Sequence, residues 1–208
     1  MGKYCGPVCR LCRAEGEKLF LKGERCFTSK CAVERREGKP GQHGKGRGKF
    51  SEYKQQLREK QKVKRIYGLL ERQFRNVFEK AALSRGVTGT ELLVGLERRL
   101  DNMVYRLGFG SSRRHARQLV IHGLIRVNAK KVDRPSYLVS AGDVIELRDK
   151  SKTHIAVRGA MELAQSRSIP TWLTLDRDQV KGTVVSLPTR EQLTHPMREQ
   201  LIVELYNK

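Results

Sequence analysis

The 208-residue sequence has no run of eighteen apolar residues, and its first twenty positions carry Lys3, Arg10, Arg13 and Lys18 without an apolar centre. A membrane-spanning helix needs about twenty such residues, and a secretory leader needs an apolar core. Neither is readable, so no membrane association and a reducing, cytoplasmic setting are expected. Aromatic residues make up only 6%, with one tryptophan. That scarcity argues against a platform stacking successive bases of a single strand, and towards recognition of folded RNA shape. His43, His115, His122, His154 and His195 show neither HxxxH nor HExxH spacing, so the pattern contains no histidine metal centre of that kind. GQHGKGRGK lacks the Walker ending and follows no strand, which excludes a nucleotide phosphate loop. No catalytic residues are assigned, and the chain is read as a non-enzyme.

Acidic side chains are also in short supply, 22 against 43 lysines and arginines, giving a net charge of +21 and a pI near 10.2. Such self-repulsion disfavours a compact state unless a polyanion compensates it, and nucleic acid is the obvious one. Residues 1–65 hold 19 basic and 7 acidic side chains, residues 66–159 hold 18 and 9, and residues 160–208 hold 6 and 6. The cationic surface belongs to the first three quarters of the chain.

Residues 1–36 read as a cysteine-bearing module, and EGKPGQHGKGRGKF (37–50) as a flexible basic Gly-rich arm that orders on RNA. A helix is expected from Ser51 to about Gly68, with a sparse apolar stripe of Tyr53, Leu57 and Val63. Most of its circumference is then a phosphate face of Lys54, Arg58, Lys62, Lys64 and Arg65. Leu70, Phe74, Val77, Phe78 and Ala81 predict a second, core-facing helix before Gly86. Thr88 and Glu91 fit a capping box. Leu92, Leu96, Leu100, Met103, Val104 and Leu107 predict one continuous third helix ending at Gly108, with Arg98, Arg99, Asp101, Asn102 and Arg106 off its stripe.

Ser111 or Ser112 caps a short helix that turns Ala116, Leu119 and Val120 inward, and period two follows at Ile125, Val127 and Val132. A tight turn at 128–131, then Tyr137, Val139 and Val144–Leu147, completes an antiparallel meander. Residues 161–168 read as a short helix, 169–185 as loop or strand around Trp172, and LIVELY (201–206) as a final apolar strand.

Five cysteines are too few for a disulfide scaffold at this length, yet all lie in the first 31 residues. Cys9-x2-Cys12 and Cys26-x4-Cys31 supply two close thiolate pairs thirteen residues apart. That is how a closed tetrahedral zinc site is built, with the ion standing in for a core. Spectator thiols, a redox pair and an iron–sulfur cluster are the competing readings; no βαβ pattern flanks Cys9–Cys12, which weighs against the redox one. Cys5 is surplus and is read as a free thiol.

The helix after Ser112 carries two polar rows, Arg113 with Arg117 and Arg114 with Gln118 and His122, both read as facing away from the apolar side. Arg126, Asn128, Lys130 and Lys131 extend them into one RNA-binding face of planar and cationic donors. The rival classes are an enzyme, either an RNA-modifying protein with an appended binding module or a metal hydrolase, for which only about sixty residues remain, and a zinc-bearing DNA-binding regulator. The second is separated by preference for A-form RNA over duplex DNA.

SSRRHARQLVIHGLIRVNAKKVDRPSYLVSAGDVIEL resembles the RNA-binding module of the small-subunit ribosomal protein four family. The module also occurs appended to tyrosyl-tRNA synthetases and pseudouridine synthases. MGKYCGPVCRLCR, PGQHG, LREKQKVKRIYGLLERQFRN and ERRLDNMVYRLGF resemble the bacterial form of the family itself, over nearly the whole chain. The resemblance implies an α+β fold: a zinc module (1–36), an all-helical domain (51–97 with about 186–208), an inserted α/β RNA-binding module (98–160) with a small antiparallel sheet, and a connecting segment (161–185). It also implies a structural constituent of the small ribosomal subunit that binds a helical junction in the 5′ domain of its RNA, nucleates assembly and influences translational accuracy. Ribosomal protein five and the messenger entrance are the implied neighbours. In the zinc-bearing branch the ligands map onto Cys9, Cys12, Cys26 and Cys31.

Overall fold

The computed structural model describes residues 2–36, 38–42, 44, 51–152, 154–165, 168–193 and 196–207. Most of the 37–50 arm, including His43, lies outside them, as does His195. Two compact units divide the chain at residues 92/93 and 194/195, the first boundary falling inside a helix.

The first unit begins with α1 (Val8–Glu15), which the left-handed Gly16 ends, and the short α2 (Ala32–Arg35). Of the arm, Gly38 and Lys39 are held by their carbonyls, which accept from the Arg13 guanidinium at 3.3 and 3.4 Å. α3 (Glu52–Ile66) starts at the expected place, where the Ser51 hydroxyl accepts the Lys54 amide as a cap. α4 (Glu71–Ala82) buries Phe74, Phe78 and Ala81, as its stripe predicts. α5 (Thr88–Glu97) follows.

The long third helix is broken, with α6 (Leu100–Arg106) starting afresh. Arg99 is extended and pairs with Leu138; the Leu100 amide donates to the Tyr137 carbonyl at 2.8 Å, and the Val139 amide to that of Arg98 at 2.9 Å. Leu92 and Leu96 before the break and Leu100, Met103, Val104 and Leu107 after it are all buried. No proline or glycine marks a break whose hydrogen bonds come from residues nearly forty positions away.

In the second unit α7 (Arg113–Ile121) is capped by Ser112. The sheet comprises β1 (Ile125–Val127), β2 (Lys130–Lys131), β3 (Val144–Leu147), β4 (Leu173–Asp176) and β5 (Lys181–Val184), and the helices α8 (Asp149–Lys152) and α9 (Ile155–Ala164) lie between β3 and β4 in the chain. Its order is β2-β1-β3-β5-β4, with every pairing antiparallel. Two of its five strands thus come from the 161–185 segment. Ile125 faces Leu147, and Val127 faces Ile145. These side chains share a core with Leu100, Val104, Phe109, Leu119 and Trp172. Gly182 sits where a Cβ would lie 2.4 Å from Leu107 Cδ2, so the strand backbone packs directly on the Leu107 side chain at the end of α6.

The chain returns to the first unit in α10 (Glu199–Tyr206). LIVELY is therefore helix rather than strand. A short apolar run fits both periods, and here Tyr206 stacks on Phe78 with centroids 4.4 Å apart while Gln56 of α3 donates to Glu204 at 3.0 Å. The architecture is α+β with a small antiparallel sheet.

Candidate nucleic-acid interface

The two polar rows of α7 part company. Arg114, Gln118 and His122 are exposed. Arg117, expected outside, is buried, and its Nη1 donates to Asp101 Oδ2 at 3.0 Å. Arg113 is half-buried: its Nε donates to Asn102 Oδ1 at 2.8 Å, and its guanidinium carbon lies 4.6 Å from the Tyr105 ring centroid. The inward turn of this row has a plain cause. α6 presents Asp101 and Asn102 to α7, and a guanidinium gains more from a buried anion than from water.

Asp101 and Glu97 are the two anionic centres of one network. Asp101 takes Arg99 through two bonds of 3.1 Å each, together with Arg117. Glu97, fully buried, takes two bonds from Arg106 at 3.0 and 2.6 Å and one from Asn102 at 2.5 Å. The side chains off the stripe make their polar contacts within the fold, with Arg98 donating to the Val139 carbonyl at 3.0 Å. The i, i+2 spacing of Arg99 and Asp101 is the local trace of this arrangement in the sequence.

Beyond α7 the strand and turn carry the predicted groups outward. Arg126 is half-buried on β1, and Lys130 and Lys131 are exposed on β2. The β1–β2 turn holds Asn128 and Ala129 at φ of 50° and 64°, the two-residue hairpin conformation that needs left-handed backbone at both central positions. The Asn128 side chain stabilises it, donating to Asp143 Oδ1 at 2.8 Å and accepting from the Val144 amide at 2.9 Å. Asn128 is exposed yet already engaged. His115 packs inward beside Ser111, and burial, aided by His154, lowers its pKa.

The α3 phosphate face is largely neutralised within its own unit. Arg58 and Arg65 both meet Glu15, the first at 3.6 Å; Lys62 meets Glu59 and Glu17 at 3.1 and 3.2 Å; Lys64 meets Glu71 at 2.8 Å. Lys60 joins Glu71 at 2.5 Å, and the Tyr206 hydroxyl donates to the same carboxylate at 3.1 Å. Partial burial pushes Glu71 up, but its hydrogen bonds to Lys60 and Lys64 prevail and hold it at about 2. Lys54, also predicted for this face, is half-buried.

In the first module Cys12, Cys26 and Cys31 are buried, Cys9 is half-buried, and Cys5 is exposed with its thiol directed at the Lys3 carbonyl. Burial pushes the Cys12 and Cys26 thiols up. Cys9, Cys26 and Cys31 add to the effect on Cys12, although the Leu19 backbone opposes it. Among the described residues no three such donors are arranged to hold an ion. The donor chemistry nonetheless fits a soft thiolate-binding metal.

Residues 3–97 match the family described as the ribosomal protein S4/S9 N-terminal domain, and residues 98–145 match the S4 domain. A basic α+β chain with those two regions falls in the class of structural ribosomal proteins, not enzymes. The chain is 60% identical over the full length of both to the small ribosomal subunit protein uS4 of Citrifermentans bemidjiense. It is 59% identical to that of Geobacter sp. strain M21 and 57% to that of Thermodesulfovibrio yellowstonii, again over both full lengths. It belongs to the family of small ribosomal subunit protein uS4. No helix of the described residues is long and apolar enough to cross a membrane.

Proposed function

We propose that this chain is a structural component of the small ribosomal subunit, in the cytoplasmic ribosome, and that it binds the RNA of that subunit. The observation that carries this reading is the exposed face of Arg114, Gln118 and His122 on α7, continued by Lys130 and Lys131 on β2. It presents planar and cationic donors from rigid elements. Such a face neutralises phosphates and reaches 2′-hydroxyls of a folded, A-form target. The resemblance adds a helical junction of the 5′ domain as target, early attachment during assembly, an effect on decoding accuracy, and ribosomal protein five and the messenger entrance as neighbours. The full chain is tested against a transcript of small-subunit ribosomal RNA and against duplex DNA of equal length. Tighter, strongly salt-dependent binding to the RNA supports the reading; equal affinity for both overturns it.

One structural zinc ion held by Cys9, Cys12, Cys26 and Cys31 belongs to the same proposal. Four thiolates close a tetrahedral shell and leave no place for an activated water, so the ion would fasten the module and do no chemistry. The support is the paired spacing of the four thiols and the burial of Cys12, Cys26 and Cys31, with Cys9 half-buried, in a region with few other buried side chains. Metal analysis of the purified chain separates zinc from an iron–sulfur cluster, which would also absorb visible light.

A further inference from the structure

Asp143 is an acid in a region built to meet a polyanion. It stands immediately before β3, and both carboxylate oxygens are engaged: Oδ1 accepts from the Asn128 side-chain amide and Oδ2 from the Ser140 backbone amide, each at 2.8 Å. Its carbonyl accepts the Val184 amide at 3.0 Å, which ties it to β5. A carboxylate beside bound phosphates repels them, so its place here calls for a compensating role.

That role lies in the β1–β2 turn. Two-residue hairpins with left-handed backbone at both central positions favour Asn followed by Gly, but the second position here is Ala129, at a φ of 64°. Alanine carries a Cβ and resists that conformation, so the local sequence alone does not fix the turn. The start of β3 does. The Asn128 amide donates to the Val144 carbonyl at 2.9 Å, Asn128 Oδ1 accepts the Val144 amide at 2.9 Å, and Asp143 holds the other end of the same side chain. β2 is only two residues long and pairs with β1 alone, Lys130 opposite Val127 and Lys131 opposite Arg126. So short an edge strand has little pairing of its own to keep it in register, and the place of its lysines depends on the turn. Lys131 is closely placed: its stem passes across Gly123 at the end of α7, where a Cβ would leave it no room.

We propose that Asp143 is a positioning residue for RNA binding: it imposes the left-handed turn at Asn128 and Ala129 and thereby presents Lys130 and Lys131 to neighbouring phosphates. The inference rests on the RNA-binding reading above and deepens it. Charge and positioning pull in opposite directions here. Removing a carboxylate from a cationic face raises its attraction for a polyanion, whereas releasing two lysines from their register lowers it.

The test measures binding of the full chain to a transcript of small-subunit ribosomal RNA, with hydrogen exchange of the free chain alongside. Asp143→Ala should raise Kd about five-fold or more and lower the salt slope by about one for each lysine released. In the free chain it should speed exchange at the Asn128 and Val132 amides, which donate to the Val144 and Ile125 carbonyls, while α7 stays protected. Ala129→Gly supplies a residue that enters the left-handed region readily. Alone it should bind as the wild type does; added to Asp143→Ala it should return Kd and slope to the wild-type values. Recovery by a change that restores no carboxylate excludes a direct contact of Asp143 with RNA. If the alanine chain folds poorly, Asp143→Asn keeps the shape, sets one donor against another, and should weaken binding in the same direction. Binding that tightens when the carboxylate is removed, or a double variant no better than Asp143→Ala, overturns the positioning role. A wild-type chain that ignores the transcript overturns the RNA-binding reading instead, and this role with it.

Discussion

Asp101 and Arg117 meet at 3.0 Å, carboxylate to guanidinium, with less than a tenth of either side chain exposed. Asp101 also holds Arg99, so one buried anion orders two cations. Asp101→Asn would leave both guanidinium groups without this counter-charge. Loss of one partner from a buried pair costs about 3–5 kcal/mol, and the second unit should melt well below the wild type in thermal or urea denaturation. Arg117→Met should cost less, because Asp101 keeps Arg99; equal losses would show that Asp101 does not act as the hub.

Charge reversal should distinguish the two rows of α7. Arg114→Glu together with Lys130→Glu changes only exposed side chains. It should weaken RNA binding across sequences and lower the salt slope by about one for each phosphate left without its cation, with the melting temperature nearly unchanged. Arg117→Glu should instead unfold the second unit, since it places a new carboxylate beside Asp101. An Arg114 variant that binds with the wild-type slope removes α7 from the interface.

Acid should loosen the α3–α10 seam. An unfolded glutamate takes up its proton near its ordinary 4.5, whereas folded Glu71 holds out to about 2. Between those values protons favour the unfolded chain, so the stability supplied by Lys60, Lys64 and Tyr206 is intact above about pH 4.5 and is lost as pH falls towards 2. Glu71→Gln should flatten this part of the pH–stability curve, measured by denaturation of the full chain. A curve of unchanged steepness would assign the acid sensitivity to other carboxylates.

Removing metal should act locally. A strong chelator is expected to release the amides of residues 8–31 to hydrogen exchange while those of α7 and the five-stranded sheet stay protected. Amides in α1 that remain protected without metal would reject the zinc role. Serine at Cys5 should leave both metal content and protection as they are.

Where a feature depends on neighbours in the chain, it could be read directly. Net charge, the cysteine pairs, the start of α3 at Ser51, the serine cap of α7, the α4 stripe and the period-two run of β1 rest on composition or on residues close together in the chain. So does the presence of cations on α3 and α7. What each cation touches is another matter: Arg114 and Arg117 are chemically alike and three positions apart, yet one faces water and the other Asp101.

The sequence by itself determined a polycationic α+β chain with a thiol cluster at its front and an RNA-binding module further on. Those properties follow from composition, short-range periodicity and motif. Only the tertiary structure decided that the third helix breaks at Arg99, that LIVELY is helical, and that most α3 cations are matched by Glu15, Glu17 and Glu71. In each case the deciding partner is distant in sequence or set by packing. Backbone hydrogen bonds and charge pairing depend on separation in space, which no window of neighbouring residues records.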